Sequence, residues 1–235
     1  MNAPENAEPG TYGVSFDELR TGFTAAVSHE LRTPLARILV LLESAELPDA
    51  DVSALLDQAR AEVEHAGALI DEILFLSELE SGKEVVALGH TTALPVLEEV
   101  VGSLGHAAGR AGVTLRAEGD AEIELPLRPR MLRIVTENLA ENAIRYAGDG
   151  ATFTLSVGRE DGTPLLRAAD NGAGVGEQDL QRMFERFWRA DASRASRGTG
   201  LGLAIVKHVV TAAGGSVEAR STPGQGLEVR CLFPE

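Results

Sequence analysis

The chain has 235 residues, 44% of them hydrophobic, and a formal net charge of −15. That length suffices for one large domain or two small ones with separate cores. The acidic balance argues against nucleic acid and anionic lipid as partners, and the single cysteine, Cys231, excludes an internal disulfide. No apolar run approaches the roughly 18 residues of a membrane span. The first fifteen residues are polar and hold Pro and Gly, unlike a signal peptide. The expected location is therefore the cytoplasm, with no membrane contact within this chain.

Residues 1–14 read as a flexible tail. Ser15 and Glu18 form a capping-box pattern, so a helix is expected from about Phe16. Its apolar residues Leu19, Phe23, Val27, Leu31, Leu35, Ile38 and Leu42 keep helical spacing up to a turn at Leu47-Pro48-Asp49. A second helix is expected from about Asp51 to Glu80, stopped by Gly82. Its residues Val52, Leu56, Ala59, Val63, Ala66, Ile70 and Ile73 alternate four and three apart, as in a bundle seam. A lone hairpin of two such helices leaves much apolar surface wet. Pairing two hairpins in a four-helix bundle buries it, which predicts a homodimer through residues 15–81.

Beyond Gly82 the pattern changes. Strand-like runs fall at 113–117, 153–157, 165–169, 216–220 and 227–233, with helical patterns at 93–110, 130–147 and 201–213. This reads as an α/β sandwich over 83–235. The segment from Gly172 to Gly200 has no clear period and is expected to be a mobile loop with a functional role. The overall class is α+β: a helical dimerisation region over 15–82, then a sandwich domain.

Residues 28–34 read Ser-His-Glu-Leu-Arg-Thr-Pro. Pro34 lies inside the first helix, where it removes a backbone hydrogen bond to Glu30 and loosens the helix beside His29. At about 100° per residue, His29 faces away from Leu31 and Ile38, with Thr33 and Ala36 on its own face. A solvated surface histidine is the plainest reading. A zinc-protease site is excluded, because the second histidine of His-Glu-x-x-His is Thr33 here. The third reading is nucleophilic: a largely neutral imidazole, with Glu30 adjacent as a base.

Three further signals point to a nucleotide. Asn138 and Asn142, at i and i+4, offer amide oxygens suited to Mg²⁺, and Arg145 and Tyr146 follow to meet phosphate and base. Asp170-Asn-Gly-Ala-Gly174 follows a strand-like run and offers a carboxylate to an exocyclic amine. Gly198-Thr199-Gly200-Leu201-Gly202 opens a helix, as an anion cradle does, without the lysine of a Walker loop. Between them lie Phe184 and Phe187 as loop anchors, and Arg189, Arg194 and Arg197 as candidate phosphate ligands.

Singly these are weak. Their order closely resembles the H, N, G1, F and G2 boxes of bacterial two-component sensor histidine kinases, over about residues 15–235. The resemblance implies an ATP-binding domain of the type shared with gyrase and the heat-shock chaperones, and ATP and Mg²⁺ as cofactors. It implies that His29 accepts the γ-phosphoryl group, that Glu30 helps deprotonate it, and that Thr33 positions water in a reverse phosphatase step. Asn142 and Asn138 match the Mg²⁺ and phosphate positions. Asp170 matches the adenine reader, Gly172, Gly174, Gly198, Gly200 and Gly202 the hinges of the ATP lid, and Arg189 a γ-phosphate arginine. A response regulator receiver domain is the implied partner, and the chain is expected to be the soluble portion of a sensor. Asn138 stands where the related ATPases carry a water-activating glutamate, which fits transfer to histidine. Three positions depart from the family: Arg145 in place of lysine, Arg197 in place of a second glycine, and Leu227-Glu-Val229 where threonine is common. The rival expectations are an ATP-binding pseudokinase scaffold and an ATPase of the same superfamily.

Overall fold

A computed structural model describes residues 16–81, 89–189 and 198–234, with side chains from residue 26 onward. The expected tail, the Ser15 cap, the Gly82 stop, Arg194 and Arg197 lie outside the described residues. The chain forms two compact units, Met1–Ala66 and Gly67–Glu235.

The first unit is a helical hairpin. Helix α1 spans Phe16–Ala45 and runs unbroken through Pro34. Helix α2 spans Val52–Glu80. Asp51 caps it, its carboxylate accepting the Ala54 N–H at 3.1 Å. Within this unit the less exposed positions of α1 include Val27, Leu31, Pro34, Ile38 and Leu41, and those of α2 include Leu55, Ala59, Glu62 and Ala66. Leu35 and Leu42 on α1, and Val52, Leu56 and Val63 on α2, keep the expected helical spacing and are exposed in the single hairpin, whereas Ala59 of the same α2 series is buried. Ile70, farther along α2, is exposed as well. The physical reason is that each helix carries two apolar stripes, and a buried position on α2 is polar. Glu62 is buried there as the partner of Arg37, 3.6 Å away, so spacing of apolar residues alone passes over it.

The second unit takes up the rest of α2 and a two-layer α/β domain. Five strands form one sheet: β2 (Thr114–Gly119), β4 (Thr152–Glu160), β5 (Thr163–Asp170), β6 (Ser216–Ser221) and β7 (Leu227–Leu232), in the order β2-β4-β5-β7-β6. Only the β2–β4 pair is parallel. Alternation decides the faces: Phe153, Leu155 and Val157 of β4 and Leu166 and Ala168 of β5 are buried. Against this apolar face pack α3 (Ala93–Arg110), α4 (Pro129–Tyr146) and α6 (Gly202–Ala212). Pro129 starts α4, where its missing N–H costs nothing.

The two-residue strands β1 (Thr91–Thr92) and β3 (Glu124–Leu125) pair antiparallel and were not expected, because two residues show no period. Helix α5 (Glu177–Arg182) corrects the reading of 172–200 as loop throughout. Cys231 sits fully buried on β7, and burial pushes its thiol up to about 12, so it is inert at neutral pH.

Candidate functional site

Helix α4 is two-faced. Met131, Leu132, Val135, Leu139 and Ala143 are buried in the core. Asn138, Glu141, Asn142 and Arg145 fall on the opposite face, three and four residues apart, and line a cavity of about 470 Å³ in the second unit. The cavity brings together most of the residues expected from sequence. Asn138, Asn142, Arg145 and Tyr146 come from α4, Asp170 and Gly174 from the end of β5 and the loop beyond it, Arg189 from the loop after α5, and Gly198, Thr199, Gly200 and Gly202 from the turn into α6. Gly172, Phe184, Phe187 and Leu201 do not line it. Gly172 packs on the backbone of Ala147, Phe184 and Phe187 are half-buried, and Leu201 is wholly buried.

The Asp170 Oδ1 accepts the Gly172 N–H at 2.8 Å and the Leu227 N–H at 3.4 Å. One carboxylate oxygen thus shapes the loop, and the other remains available to a ligand donor. Asn138 gives its amide N–H to the Ile134 carbonyl at 2.8 Å, and its Oδ1 lies against Gly202. A Cβ at 202 would approach that oxygen to 2.5 Å, so a side chain there would displace the Asn138 amide. Gly200 has φ +71°, and a Cβ would meet the backbone of Phe187 at 2.8 Å. The Phe187 N–H donates to the Gly200 carbonyl at 2.9 Å. Phe187 itself has φ 59°, a conformation uncommon for an aromatic residue and worth a functional reading. The turn into α6 is therefore built for close backbone approach, at the helix end that favours anions.

Sequence reasoning missed several lining residues. Glu72 of α2, Glu141, Asp179, Met183 and Trp188 all contribute, and so does Leu227, read from sequence only as a departure from the family. Glu141 was legible from its place beside Asn142 on α4. Glu72 was not, because nothing in the order of motifs links it to a glycine turn about 130 residues later. Thr199 donates its hydroxyl to the Glu72 carboxylate. Burial pushes the Glu72 carboxyl above its ordinary range, against the Thr199 hydrogen bond and Arg145, while Glu141 adds to the rise. Burial also raises the Glu137 carboxyl, with Arg133 opposing and Glu141 adding.

In the first unit, His29 and Thr33 are exposed on α1 and Glu30 is half-buried. Ala36 and Val40 share the open face. The Thr33 hydroxyl donates to the His29 carbonyl at 3.4 Å.

Fold and site together define a protein with a phospho-acceptor helical hairpin and an ATPase-type α/β domain. The pattern described as "His Kinase A (phospho-acceptor) domain" matches residues 19–82. The pattern described as "Histidine kinase-, DNA gyrase B-, and HSP90-like ATPase" matches residues 127–235. The chain is 33% identical over 222 residues to the sensor-like histidine kinase SenX3 of Mycolicibacterium smegmatis, covering 92% of this chain and 58% of that protein. It is 33% identical to the signal transduction histidine-protein kinase BaeS of Escherichia coli, covering 92% of this chain and 47% of that one. Among solved structures, the histidine kinase AdeS of Acinetobacter baumannii shares the fold at TM-score 0.70 and 22% identity, over 87% of this chain and 97% of that one. ShkA, solved full-length in complex with AMPPNP, matches at TM-score 0.66 and 28% identity, over 89% of this chain and 45% of that one. The chain belongs to the sensor histidine kinase family and spans about half the length of the curated relatives it matches.

Proposed function

We propose that the chain is the kinase core of a two-component sensor. It binds ATP with Mg²⁺, autophosphorylates on His29, and passes the phosphoryl group to an aspartate of a response regulator. The observation that carries this reading is that three motifs far apart in sequence, around Asn142, Asp170 and Gly200, line one cavity.

In this reading the free oxygen of Asp170 accepts the adenine amine, and Tyr146 lies beside the base. Arg145, Arg189 and the N-terminus of α6 hold phosphate charge. The donors fit Mg²⁺. Asn138 and Asn142 present amide oxygens, and among the described residues no group of three or more His, Cys, Asp or Glu is arranged to hold a metal. The protein would then supply one or two oxygens, leaving the other positions to water and phosphate. When bound, the ion supplies charge neutralisation at the phosphates. A ring nitrogen of His29 attacks the γ-phosphorus, the bond to the bridging oxygen breaks, and ADP leaves with that electron pair. The imidazole N–H proton passes to Glu30.

A homodimer belongs to the same proposal. Leu35, Leu39 and Leu42 on α1, and Val52, Leu56 and Val63 on α2, are 45–61% exposed. Spacings of three, four and seven residues make them a second seam, which a second hairpin would cover. Thr33 is proposed to position water for the phosphatase step once its hydroxyl leaves the His29 carbonyl. The reading places the chain in the cytoplasm, as the soluble portion of an anchored sensor. Among the described residues no helix is long and apolar enough to cross a membrane.

The test is incubation with γ-labelled Mg-ATP beside a His29→Gln variant. Acid-labile, alkali-stable label that the variant loses is the expected result. Nucleotide binding without label would favour the scaffold, and released phosphate without labelled protein the ATPase.

A further inference from the structure

The last turns of α2 carry a carboxylate into the nucleotide cavity, and the activity proposed above gives it no task. Glu72 lines the cavity beside Asn138, Arg145 and Gly198–Gly202. It accepts the hydroxyl of Thr199, and the Thr199 oxygen in turn accepts the Leu201 N–H at 3.2 Å. One side chain of α2 thereby fixes the turn that leads into α6. Two more contacts hold the same stretch of helix. Arg130, at the start of α4, lies 5.7 Å from the centre of the Phe75 ring, and Arg186, beyond α5, pairs with Glu80.

A triphosphate in this cavity draws on Arg145 and the turn into α6, the same groups that face Glu72. Two anionic occupants cannot both have them. The contact is also poised to break. Burial disfavours the ionised carboxylate, and the hydrogen bond from Thr199 and the charge of Arg145 oppose that cost.

We propose that Glu72 is a latch: by accepting the Thr199 hydroxyl it holds the Gly198–Gly202 turn against α2 and competes with nucleotide, so that withdrawal of α2 and nucleotide loading favour each other. The latch rests on the nucleotide reading of the cavity. Because coupling between two events is reciprocal, any input that shifts α2 changes nucleotide affinity, and nucleotide loosens α2 in return. Apparent affinity is then the intrinsic affinity reduced by the unlatched fraction.

The experiment measures binding of a fluorescent, non-hydrolysable ATP analogue to the full chain, to Glu72→Ala and to Glu72→Gln. Circular dichroism and thermal unfolding check that each is folded. The latch predicts that Ala tightens the dissociation constant about fivefold, the low end of ordinary site-to-site coupling. Gln, whose amide oxygen still accepts from Thr199 without charge to desolvate, binds no tighter than the parent chain. Hydrogen exchange at the amides of 199–203 in the nucleotide-free chain speeds up in the Ala variant only. If both variants tighten, Glu72 acts by charge repulsion and the latch is wrong. If both weaken, Glu72 belongs to the binding site and the latch is wrong. Unchanged affinity in both overturns the latch and leaves the nucleotide reading standing. Absence of binding in every chain overturns the nucleotide reading and the latch with it.

Discussion

Leu35, Leu39, Leu47 and Leu56 of the hairpin are 49–63% exposed, whereas Leu97, Leu125, Leu132, Leu155 and Leu166 of the α/β unit are 0% exposed. The same residue type thus plays two roles. In the α/β unit sheet and helices cover one another, and the core is complete within one chain. In the hairpin two helices cannot cover both apolar stripes, and the second stripe stays exposed. The chemistry divides along the same line. The enclosed unit holds the cavity, where burial sharpens charge and hydrogen bonding. The open hairpin holds His29, which in the proposed transfer meets both a phosphoryl donor and an acceptor.

The contrast can be broken by substitution. The largest effect is expected at Leu166→Ala on β5. Removing a fully buried leucine lowers unfolding free energy by about 2–5 kcal/mol, which urea denaturation followed by the Trp188 fluorescence would read. Leu56→Asp should leave that transition unmoved and raise dimer dissociation roughly thirtyfold, or about 2 kcal/mol for a central interface position, as seen by sedimentation equilibrium. An equal loss of α/β stability in Leu56→Asp would contradict the division.

Within the enclosed unit, Asp170→Asn keeps the oxygen that accepts from Gly172 and Leu227 but turns an amine toward the ligand. The expected loss is about 1.5 kcal/mol or more, the value of a hydrogen bond to a charged group, read as at least roughly tenfold weaker ATP binding in an equilibrium titration. Unchanged binding would remove Asp170 from base recognition.

The smallest effect concerns pH. The Glu72 carboxyl is raised in the latched chain, so the latched state holds the proton more tightly than the unlatched one. The latch is at full strength below the ordinary carboxylate value and weakens as pH rises through the raised one. Thr199, Arg145 and Glu141 are the groups that act on it. Nucleotide affinity of the parent chain should therefore rise with pH relative to Glu72→Gln. A constant ratio between the two titrations would sink this.

Much of the architecture was legible because its signals are local. The helix spans are close to those expected, since apolar spacing and the turn at Leu47–Asp49 mark them out. All five main strands were found by alternation. Of the expected α2 series Ala59 is buried while Val52, Leu56 and Val63 stay exposed, and Glu62, buried through its ion pair with Arg37, gave no apolar signal. Asn142, Asp170 and Gly200 were visible as motifs. Their convergence on one cavity depends on sheet order, which spacing does not encode. Glu72 needed the fold altogether.

The central claim is that the phosphoryl group resides on the exposed histidine of α1. The most direct measurement is mass spectrometric fragmentation, under alkaline conditions, of the full chain after reaction with Mg-ATP. The expected product carries one phosphoryl group on the His29 imidazole. A phosphoryl group on Ser28 or Thr33 instead, or an unmodified hairpin alongside ATP consumption, would contradict it.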